Sequence, residues 1–302
     1  MMFGTREEFD YLECSNCGTL QLIDIPDLAR FYPSNYLSFE EHPIPAARSF
    51  LHRLAAREVG RYAANGRGFL GGLINRIKPE YIKYLPWQVM SIPNISSDAR
   101  ILDLGCGRGQ LLQTMHYFGF TDLTGADAFI EKDIVHSTGV KILKRSLSEL
   151  EPAFDVIMLH HSFEHLPEPK AALGEIKRIL AKDGSVLLRI PVASFAWEKY
   201  GVNWVQMDPP RHLFLFTERA VRLLAEAAGF KVDKIIYDSD GFQFWGSEQY
   251  LRDIPLVPEG DSGGFSPADI FTAEQLAAWD AEAERLNAEG RGDAACFYLS
   301  VK

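Results

Sequence analysis

Residues 101–109, which read ILDLGCGRG, decide the fold. A short apolar run ends in three glycines spaced G-x-G-x-G, namely Gly105, Gly107 and Gly109, and a helical pattern follows from 110 to 118. Glycine lets a backbone approach a ligand closely, and the start of a helix offers unpaired N–H groups. A strand that enters a helix through such a turn indicates a nucleotide-type cofactor. A tight turn without a ligand is the plain alternative.

The spacing of this loop and the residue before it separate two cofactor classes. A dinucleotide fingerprint has the spacing G-x-G-x-x-G, which is one residue longer. Asp103 ends the strand, and a carboxylate there is unfavourable beside a pyrophosphate but favourable beside the amino group of a methionine-derived sulfonium cofactor. The pattern therefore favours a sulfonium cofactor, and a nicotinamide-dependent oxidoreductase stays the alternative.

Beyond the loop, short apolar runs alternate with helical patterns. We expect strands at 100–104, 123–126, 141–144, 154–159, 185–190, 232–237 and 295–301, and helices at 110–118, 169–180, 217–228 and 272–287. The strand at 185–190 is expected to follow a turn at Asp183 and Gly184. This rhythm predicts an α/β fold whose parallel sheet is covered by helices on both faces.

The chain divides into three regions of different character. Residues 1–45 form a cysteine-bearing N-terminal segment, and residues 46–98 form a helical lid or cap. Within the lid we expect a helix over 46–62, a glycine-rich break over 66–72 and a further helix over 80–90. Residues 99–302 form the cofactor-binding domain, with an insertion at about 250–290 that begins as an irregular surface segment.

Composition excludes several classes of protein. The 302 residues carry 41 acidic and 31 basic side chains, a formal net charge of −10. This balance argues against a general binder of nucleic acid or membrane surfaces, although a local basic patch stays open. No apolar run has the length of a bilayer span, and the N-terminus is too polar for a secretory signal. Four cysteines do not make a disulfide scaffold in a chain of this length, so a cytoplasmic location is expected.

The stretch 101–109 resembles the first motif of class I S-adenosylmethionine-dependent methyltransferases, and the likeness extends over about 100–236 and the last strand. The resemblance implies a Rossmann-like, doubly wound, seven-stranded sheet, mostly parallel with an antiparallel last strand, and S-adenosyl-L-methionine as cofactor. Asp127 falls where this family binds the ribose, and a carboxylate can accept both hydroxyl protons. The residues implied in cofactor binding are Asp103, Gly105, Cys106, Gly107, Gly109, Asp127, Ala128, Ser146, Leu147 and His160.

Candidate bases follow from a second resemblance. Residues 154–167, FDVIMLHHSFEHLP, resemble the family's fourth strand and the loop after it, and they contain His160, His161 and His165. Residues 208–217, DPPRHLFLFT, resemble a segment of UbiG-like and glycan-cluster methyltransferases that places Arg211 and His212 on the substrate side. Imidazole titrates near neutral pH, so the four histidines are candidate catalytic bases. For each of them, ordering the loop or packing the cofactor is an equal alternative.

Two further groups have a functional and a plain interpretation. Glu164 and His165 resemble a divalent-metal pair of some ubiquinone-pathway O-methyltransferases, but His161 stands where that group has a further carboxylate, so we predict no metal. Three aromatic residues before the 208–217 segment can line a pocket for a sugar or an aromatic ring, or else close the edge of the core. They are Trp197, Tyr200 and Trp204.

Cys14 and Cys17 form one knuckle of the zinc-ribbon type. A structural zinc needs four ligands, and the second C-x-x-C pair is missing. The surrounding sequence resembles the back half of a zinc-binding lead-in found on some methyltransferases from polysaccharide clusters. We therefore expect no zinc, with zinc shared between chains as the alternative.

The sequence thus predicts an S-adenosylmethionine-dependent methyltransferase that acts on a small molecule or glycan, with a sugar or aromatic hydroxyl as acceptor. No nucleic-acid partner is expected, and a homodimer stays open. The alternatives are an NAD-dependent oxidoreductase and a non-catalytic module that keeps the cofactor-binding fold.

Overall fold

A computed structural model describes residues 2, 4–31, 50–65, 69–77, 85–93, 95–257 and 266–302. The chain divides into two compact units. The first, here the histidine unit, comprises Met1–Asn35, His161–Lys170 and Leu188–Phe297. The second, here the loop unit, comprises Tyr36–His160, Ala171–Leu187 and Tyr298–Lys302.

The described residues form strands in two sheets. The strands are β1 (Tyr11–Glu13), β2 (Leu20–Leu22), β3 (Arg100–Leu104), β4 (Asp122–Ala126), β5 (Ile134–Val135), β6 (Lys141–Leu143), β7 (Phe154–His160), β8 (Leu180–Pro191), β9 (Phe214–Leu215), β10 (Phe230–Tyr237) and β11 (Ala294–Val301). The larger sheet has the order β10-β11-β8-β7-β3-β4-β6-β5, and the smaller has the order β1-β2-β9.

The larger sheet confirms the expected mixed α/β fold. Strand β3 pairs in parallel with β4 and β7, and β4 pairs in parallel with β6. At the start of β11, Ala294 O accepts from Asp238 N and Asp293 O accepts from Val192 N, so the ends of β10 and β8 meet the beginning of β11. This is the expected antiparallel last strand. The expected number of seven strands is wrong, because the two-residue strand β5 adds an eighth by pairing antiparallel with β6.

Nine α-helices lie among the described residues. They are α1 (Phe50–Asn65), α2 (Phe69–Ile77), α3 (Trp87–Met90), α4 (Gln110–Tyr117), α5 (Pro169–Ile179), α6 (Phe195–Tyr200), α7 (Glu218–Ala227), α8 (Phe242–Leu251) and α9 (Ala273–Ala288). In this part of the chain, no helix has the length and apolar character needed to cross a bilayer.

The loop at 105–109 forms as the sequence predicts, and its glycines explain why. Ile101, Leu102 and Leu104 are buried, as expected for a strand covered on both faces. Gly105, Gly107 and Gly109 all have positive φ, which favours glycine. A Cβ on Gly109 would overlap the Cδ1 atom of Ile142 on β6, so the turn also needs glycine for space.

Several expected boundaries are wrong. The glycine break expected over 66–72 is wrong for 69–72, because α2 runs through Gly71 and Gly72, and 66–68 lie outside the described residues. A Cβ on Gly71 would overlap the carbonyl oxygen of Glu58, so this glycine permits close helix packing instead of ending a helix. The turn at Asp183 and Gly184 lies within β8. Of the helix expected over 80–90, α3 is the described part, and 78–84 lie outside the described residues.

The cysteine knuckle forms the hairpin of β1 and β2. Gly18 N donates to Cys14 O at 2.7 Å, and Cys14 N donates to Thr19 O at 2.9 Å. The hairpin extends through β2 to β9. Thr217 joins the knuckle to α7, because its hydroxyl donates to Cys17 O at 2.6 Å and accepts from Ala220 N at 3.1 Å. The division at residues 45 and 98 stays a prediction.

We expect Thr217→Ala to destabilise the protein by about 1–2 kcal/mol, because it removes the helix N-cap and the bond to the knuckle together. Thr217→Ser keeps the hydroxyl and is the matched control. Urea unfolding followed by circular dichroism measures both. Equal free energies of unfolding for wild type and the alanine variant would contradict this role of Thr217.

Candidate functional site

Asp127 holds the glycine loop in place at the end of β4. Its Oδ2 accepts from Gly107 N at 2.9 Å, and its Oδ1 accepts from Phe129 N at 2.8 Å. Gly105 N donates to Ala126 O at 2.8 Å, which fixes the start of the loop. Each carboxylate oxygen can accept a further hydrogen bond, so Asp127 can hold the loop and still bind ligand hydroxyls.

Asp103 is a buried carboxyl group beside this loop. Its side chain is 3% exposed, and burial together with the negative charge of Asp127 raises its pKa to about 8. Burial also raises the pKa of the Cys106 thiol, and the charges of both aspartates add to the effect. A site that disfavours negative charge in this way is stabilised by a bound cation. The two aspartates therefore fit the positively charged methionine part of S-adenosylmethionine.

The remaining predicted cofactor residues differ in exposure. Ala128 is exposed, Leu147 is half-buried and His160 is half-buried at the end of β7. Ser146 is exposed, and its hydroxyl donates to Glu149 Oε2 at 2.6 Å within a capping box, so its hydroxyl has a local structural role. Phe129, which the sequence pattern did not indicate as a candidate, follows Asp127 by two residues and is 61% exposed.

Glu164, His165 and His212 form a cluster in the histidine unit. One ring nitrogen of each histidine and one carboxylate oxygen of Glu164 lie within 4.8 Å of one another. The side chain of Glu164 is fully buried, so its charge depends on the side chains around it. Leu213 N donates to Glu164 O at 3.0 Å, which ties the segment of His212 to the turn that contains Glu164.

Backbone carbonyls fix the proton on the rings of His165 and His212. Nδ1 of His165 lies 2.7 Å from Arg211 O, and Nδ1 of His212 lies 2.7 Å from Gln206 O. A carbonyl oxygen only accepts, so Nδ1 carries a proton in both rings, and the ring of His212 keeps a lone pair on Nε2 when it is neutral. Nε2 of His212 lies 3.9 Å from Glu164 Oε1. Burial and the nearby His165 lower the pKa of His212, which favours the neutral ring.

His161 is held differently. Nη1 of Arg189 donates to its Nε2, and Arg189 is itself held by Asp238 through a 2.6 Å hydrogen bond from Nε to Oδ2. Because Nε2 accepts, the ring proton lies on Nδ1, which is 3.5 Å from Glu164 Oε1. His161 also has a φ of +50°, a conformation that is unusual for a residue with a side chain.

The imidazoles determine the charge of Glu164. Burial alone would raise its pKa, but the hydrogen bond from His161 and the electrostatic effect of His165, His212 and His161 outweigh it and lower the pKa to about 2. The imidazoles around Glu164 therefore favour its carboxylate form, although the side chain is fully buried.

The cluster has a donor set that suits a particular class of metal. One carboxylate oxygen and two imidazole nitrogens fit Zn²⁺ or a similar transition-metal ion better than Mg²⁺, which prefers oxygen ligands. Bound histidines commonly donate their other ring N–H to a carbonyl, as His165 and His212 do here. His212 comes from a distant segment, which is why the sequence offered no signal for it as a partner of Glu164. The expectation of no metal stays a prediction.

The structure gives two sets of candidate substrate contacts a packing role, which was the stated alternative for the three aromatics and is a correction for Arg211. Trp204 is fully buried and donates from Nε1 to Asp293 Oδ2 at 2.9 Å, and Tyr200 lies in the same core cluster, against which Trp197 packs. These aromatics close the core of the histidine unit. Arg211 is buried, pairs with Asp208 and donates to Phe31 O at 3.0 Å, so its guanidinium is structural.

The knuckle thiols are close to backbone donors. Hydrogen bonds from the backbone of Cys17 and Asn16 lower the pKa of the Cys14 thiol. Within the described residues, the thiols of Cys14 and Cys17 lie in no group of three or more potential metal ligands. The expectations of no zinc, or of zinc shared between chains, stay predictions.

Comparison with known proteins establishes the family. The family described as "Methyltransferase domain" matches residues 46–235, and the chain belongs to it. The expected class, a class I S-adenosylmethionine-dependent methyltransferase, is confirmed, and with it S-adenosylmethionine as the cofactor.

The curated relatives include the ubiquinone biosynthesis O-methyltransferase of Rickettsia bellii, which is 30% identical over 149 residues, 44% of this chain and 62% of the relative. The enzyme of the same name from Dinoroseobacter shibae is 28% identical over 192 residues, 53% of this chain and 75% of the relative. The chain thus spans 62% of the length of the Rickettsia relative. A solved structure of a possible histamine N-methyltransferase from Thermotoga maritima is 19% identical, with a TM-score of 0.46, over 76% of this chain and 97% of the other.

The raised pKa of Asp103 predicts a pH-dependent stability in the absence of cofactor. The folded pKa lies above the unfolded value, so this group stabilises the fold fully below about pH 4, and the contribution is lost as pH rises toward 8. Relative to Asp103→Asn, wild type should lose about 1.4 kcal/mol for each pH unit inside this window.

Urea unfolding of both proteins from pH 4 to 9 measures the difference between their free energies of unfolding. Because other titrating groups are common to both proteins, the change of this difference with pH reports on Asp103. Asp155→Asn, at an exposed carboxylate whose pKa is lowered by Arg100, is a control that should show no such loss in this range. A constant difference between wild type and Asp103→Asn across this window would refute the raised pKa.

Proposed function

We propose that the chain transfers a methyl group from S-adenosylmethionine to a hydroxyl oxygen of a small molecule or glycan. The observation that carries the acceptor assignment is the pair of rings of His165 and His212. Nδ1 of each ring lies 2.7 Å from a backbone carbonyl oxygen, and Nε2 of His212 lies 3.9 Å from the carboxylate of Glu164, with its lone pair kept in the neutral ring. Such a nitrogen can accept the proton of a hydroxyl group as the oxygen becomes a nucleophile.

The loop unit supplies the cofactor site. Asp103 binds the methionine amino group through its carboxylate, and Asp127 accepts hydrogen bonds from the ribose hydroxyls. The backbone of Gly105, Gly107 and Gly109 allows close approach of the ligand. Phe129, Ala128, Leu147 and Ser146 border the adenine, and Phe129 supplies a flat apolar surface for it. When bound, the cofactor supplies an electrophilic methyl group on a sulfonium leaving group.

The histidine cluster supplies acceptor activation. His212 or His165 takes the hydroxyl proton on Nε2, and the carboxylate of Glu164 stabilises the imidazolium that forms. His161 has its Nε2 occupied by Arg189, so we assign it to positioning Glu164 and not to accepting a proton. A catalytic role of His160 stays a prediction of the sequence.

Oxygen as the acceptor atom is supported by the relatives, which are named O-methyltransferases of ubiquinone biosynthesis. Sugar and aromatic hydroxyls both stay candidates. Family membership argues against the NAD-dependent oxidoreductase. An activity measurement is needed to distinguish a methyltransferase from a non-catalytic module that binds the cofactor. A cytoplasmic location and a homodimer also stay predictions.

We expect Asp127→Ala to weaken binding of S-adenosylhomocysteine by about 10–100-fold, because it removes a charged acceptor for both ribose hydroxyls. Asp127→Asn keeps the size of the side chain and one acceptor oxygen, so its affinity for S-adenosylhomocysteine should fall less than that of Asp127→Ala. Isothermal calorimetry measures the affinities, and circular dichroism controls for the loop contact that the alanine also removes. Equal affinity of wild type and Asp127→Ala would remove Asp127 from ribose binding, and a larger thermal shift with NAD than with S-adenosylhomocysteine would contradict the cofactor itself.

We expect His212→Gln and His165→Gln each to lower the rate of methyl transfer by about 10²–10⁴-fold while the affinity for cofactor stays unchanged. The measurement is mass spectrometry of products formed from a cell extract and isotopically labelled cofactor. His116→Gln on α4, outside the cluster, is the matched control. Undiminished transfer by both variants would remove the cluster from the chemistry.

Elemental analysis of the purified protein and the same assay with a chelator distinguish two forms of this proposal. Activity that survives chelation supports proton removal by the imidazoles alone. Stoichiometric transition metal that is lost in His212→Gln contradicts the expectation that the site holds no metal.

A further inference from the structure

The helices α1 and α2 carry an exposed apolar surface. Among the described residues, fifteen large apolar side chains are exposed, and six of them lie on these two helices. Their exposed fractions range from 41% for Leu73 to 89% for Phe69. The six, here called the apolar stripe, are Leu51, Leu54, Phe69, Leu70, Leu73 and Ile77.

The stripe does not face the local core. Each residue turns an α-helix by about 100°, so Phe69, Leu70, Leu73 and Ile77 share an arc of about 100° on α2. Gly71 lies outside this arc and contacts α1 at the backbone of Glu58, where a Cβ would not fit. On α1, Ala56 and Val59 pack with Phe118 in a small core, and Leu51 and Leu54 lie outside it. The helices thus approach each other closely at Gly71, and the six residues of the apolar stripe stay exposed.

The charge of this segment is opposite to that of the chain. From 50 to 77 the sequence has five arginines and one glutamate, a net charge of +4, whereas the whole chain carries −10. Arg53, Arg57, Arg61 and Arg76 are exposed on the same helices as the stripe. Arg61 pairs with Glu58 at 2.8 Å, which leaves the excess of positive charge in place.

Apolar side chains next to exposed arginines on short helices are the pattern of a surface that binds at a lipid–water interface. Aliphatic and aromatic groups enter the acyl boundary, and arginines attract anionic headgroups. A symmetric contact between two copies would bring the same arginines together, which is unfavourable. Nucleic acid would use the arginines but would leave the aliphatic stripe in water.

We propose that α1 and α2 dock this chain reversibly on a membrane surface that contains anionic lipid. The apolar stripe supplies the contact with the acyl region, and the four exposed arginines supply the preference for negative headgroups. This inference is independent of the methyl acceptor and of the histidine cluster.

Co-sedimentation with vesicles tests the proposal. Wild type should bind vesicles of phosphatidylcholine mixed with phosphatidylglycerol, should bind pure phosphatidylcholine at least about tenfold more weakly, and should dissociate at high salt. Phe69→Ser with Ile77→Ser should lower binding about a hundredfold. Arg53→Gln with Arg76→Gln should lower binding to the anionic vesicles about tenfold or more without changing binding to pure phosphatidylcholine.

Val202→Ser with Leu223→Ser is the matched control, because it removes two exposed apolar side chains from the histidine unit. These substitutions lie at exposed positions, and circular dichroism melting checks that each variant is folded. The proposal is overturned if wild type does not sediment with anionic vesicles, or if Phe69→Ser with Ile77→Ser binds as well as wild type. Light scattering that shows a wild-type dimer and a monomeric stripe variant would assign the surface to a second copy instead.

Discussion

The buried carboxyl group of Asp103 is the constraint on which the cofactor site depends. It lies at the end of β3 beside a second carboxylate, Asp127, and burial and this like charge raise its pKa to about 8. Asp127 in turn accepts from Gly107 N, so the backbone of the loop, the two charges and the ionisation of Asp103 are coupled. A ligand cation relieves the repulsion between the aspartates, and that relief contributes to binding. The site is therefore selective for a positively charged ligand before any shape is considered.

In the histidine unit, the surroundings shift the pKa of a buried carboxyl group in the opposite direction. Glu164 is as buried as Asp103, yet its pKa is lowered to about 2, because imidazole rings surround it where Asp103 has another carboxylate. Desolvation acts in the same direction on both groups, so the difference comes from the neighbours alone. A bound cation thus favours the charged form of Asp103, whereas the protein itself favours the charged form of Glu164. In the function proposed above, the first binds the cationic part of the cofactor and the second supports proton transfer.

The sequence predicts those features of the molecule that depend on contacts between residues close in the chain, and it fails for those that depend on distant contacts. The β3–loop–α4 unit was predictable because positive φ at Gly105, Gly107 and Gly109 needs glycine and leaves a pattern within nine residues. The same reasoning failed at Gly71, where glycine serves a close contact between α1 and α2 that only the packed structure shows. It could not pair His212 with Glu164, because no local period links the two. The sequence places Arg211 on the substrate side, and leaves Trp204 between substrate and core, for a related reason: the buried partners Asp208 and Asp293 cannot be read from the sequence.

Composition averages have the same weakness as local patterns, since they conceal where charge lies. A net charge of −10 argues against membrane surfaces when it is spread evenly, but the span from 50 to 77 contributes +4 and the rest of the chain −14. Screening limits the reach of a surface charge to about 8–10 Å in physiological salt, so an interface responds to the charges in the patch and not to the total. The acidic remainder then has a separate effect, because it opposes unspecific adsorption through other parts of the chain. A strongly acidic protein with a basic apolar stripe can accordingly be more selective for one surface than a uniformly basic protein would be.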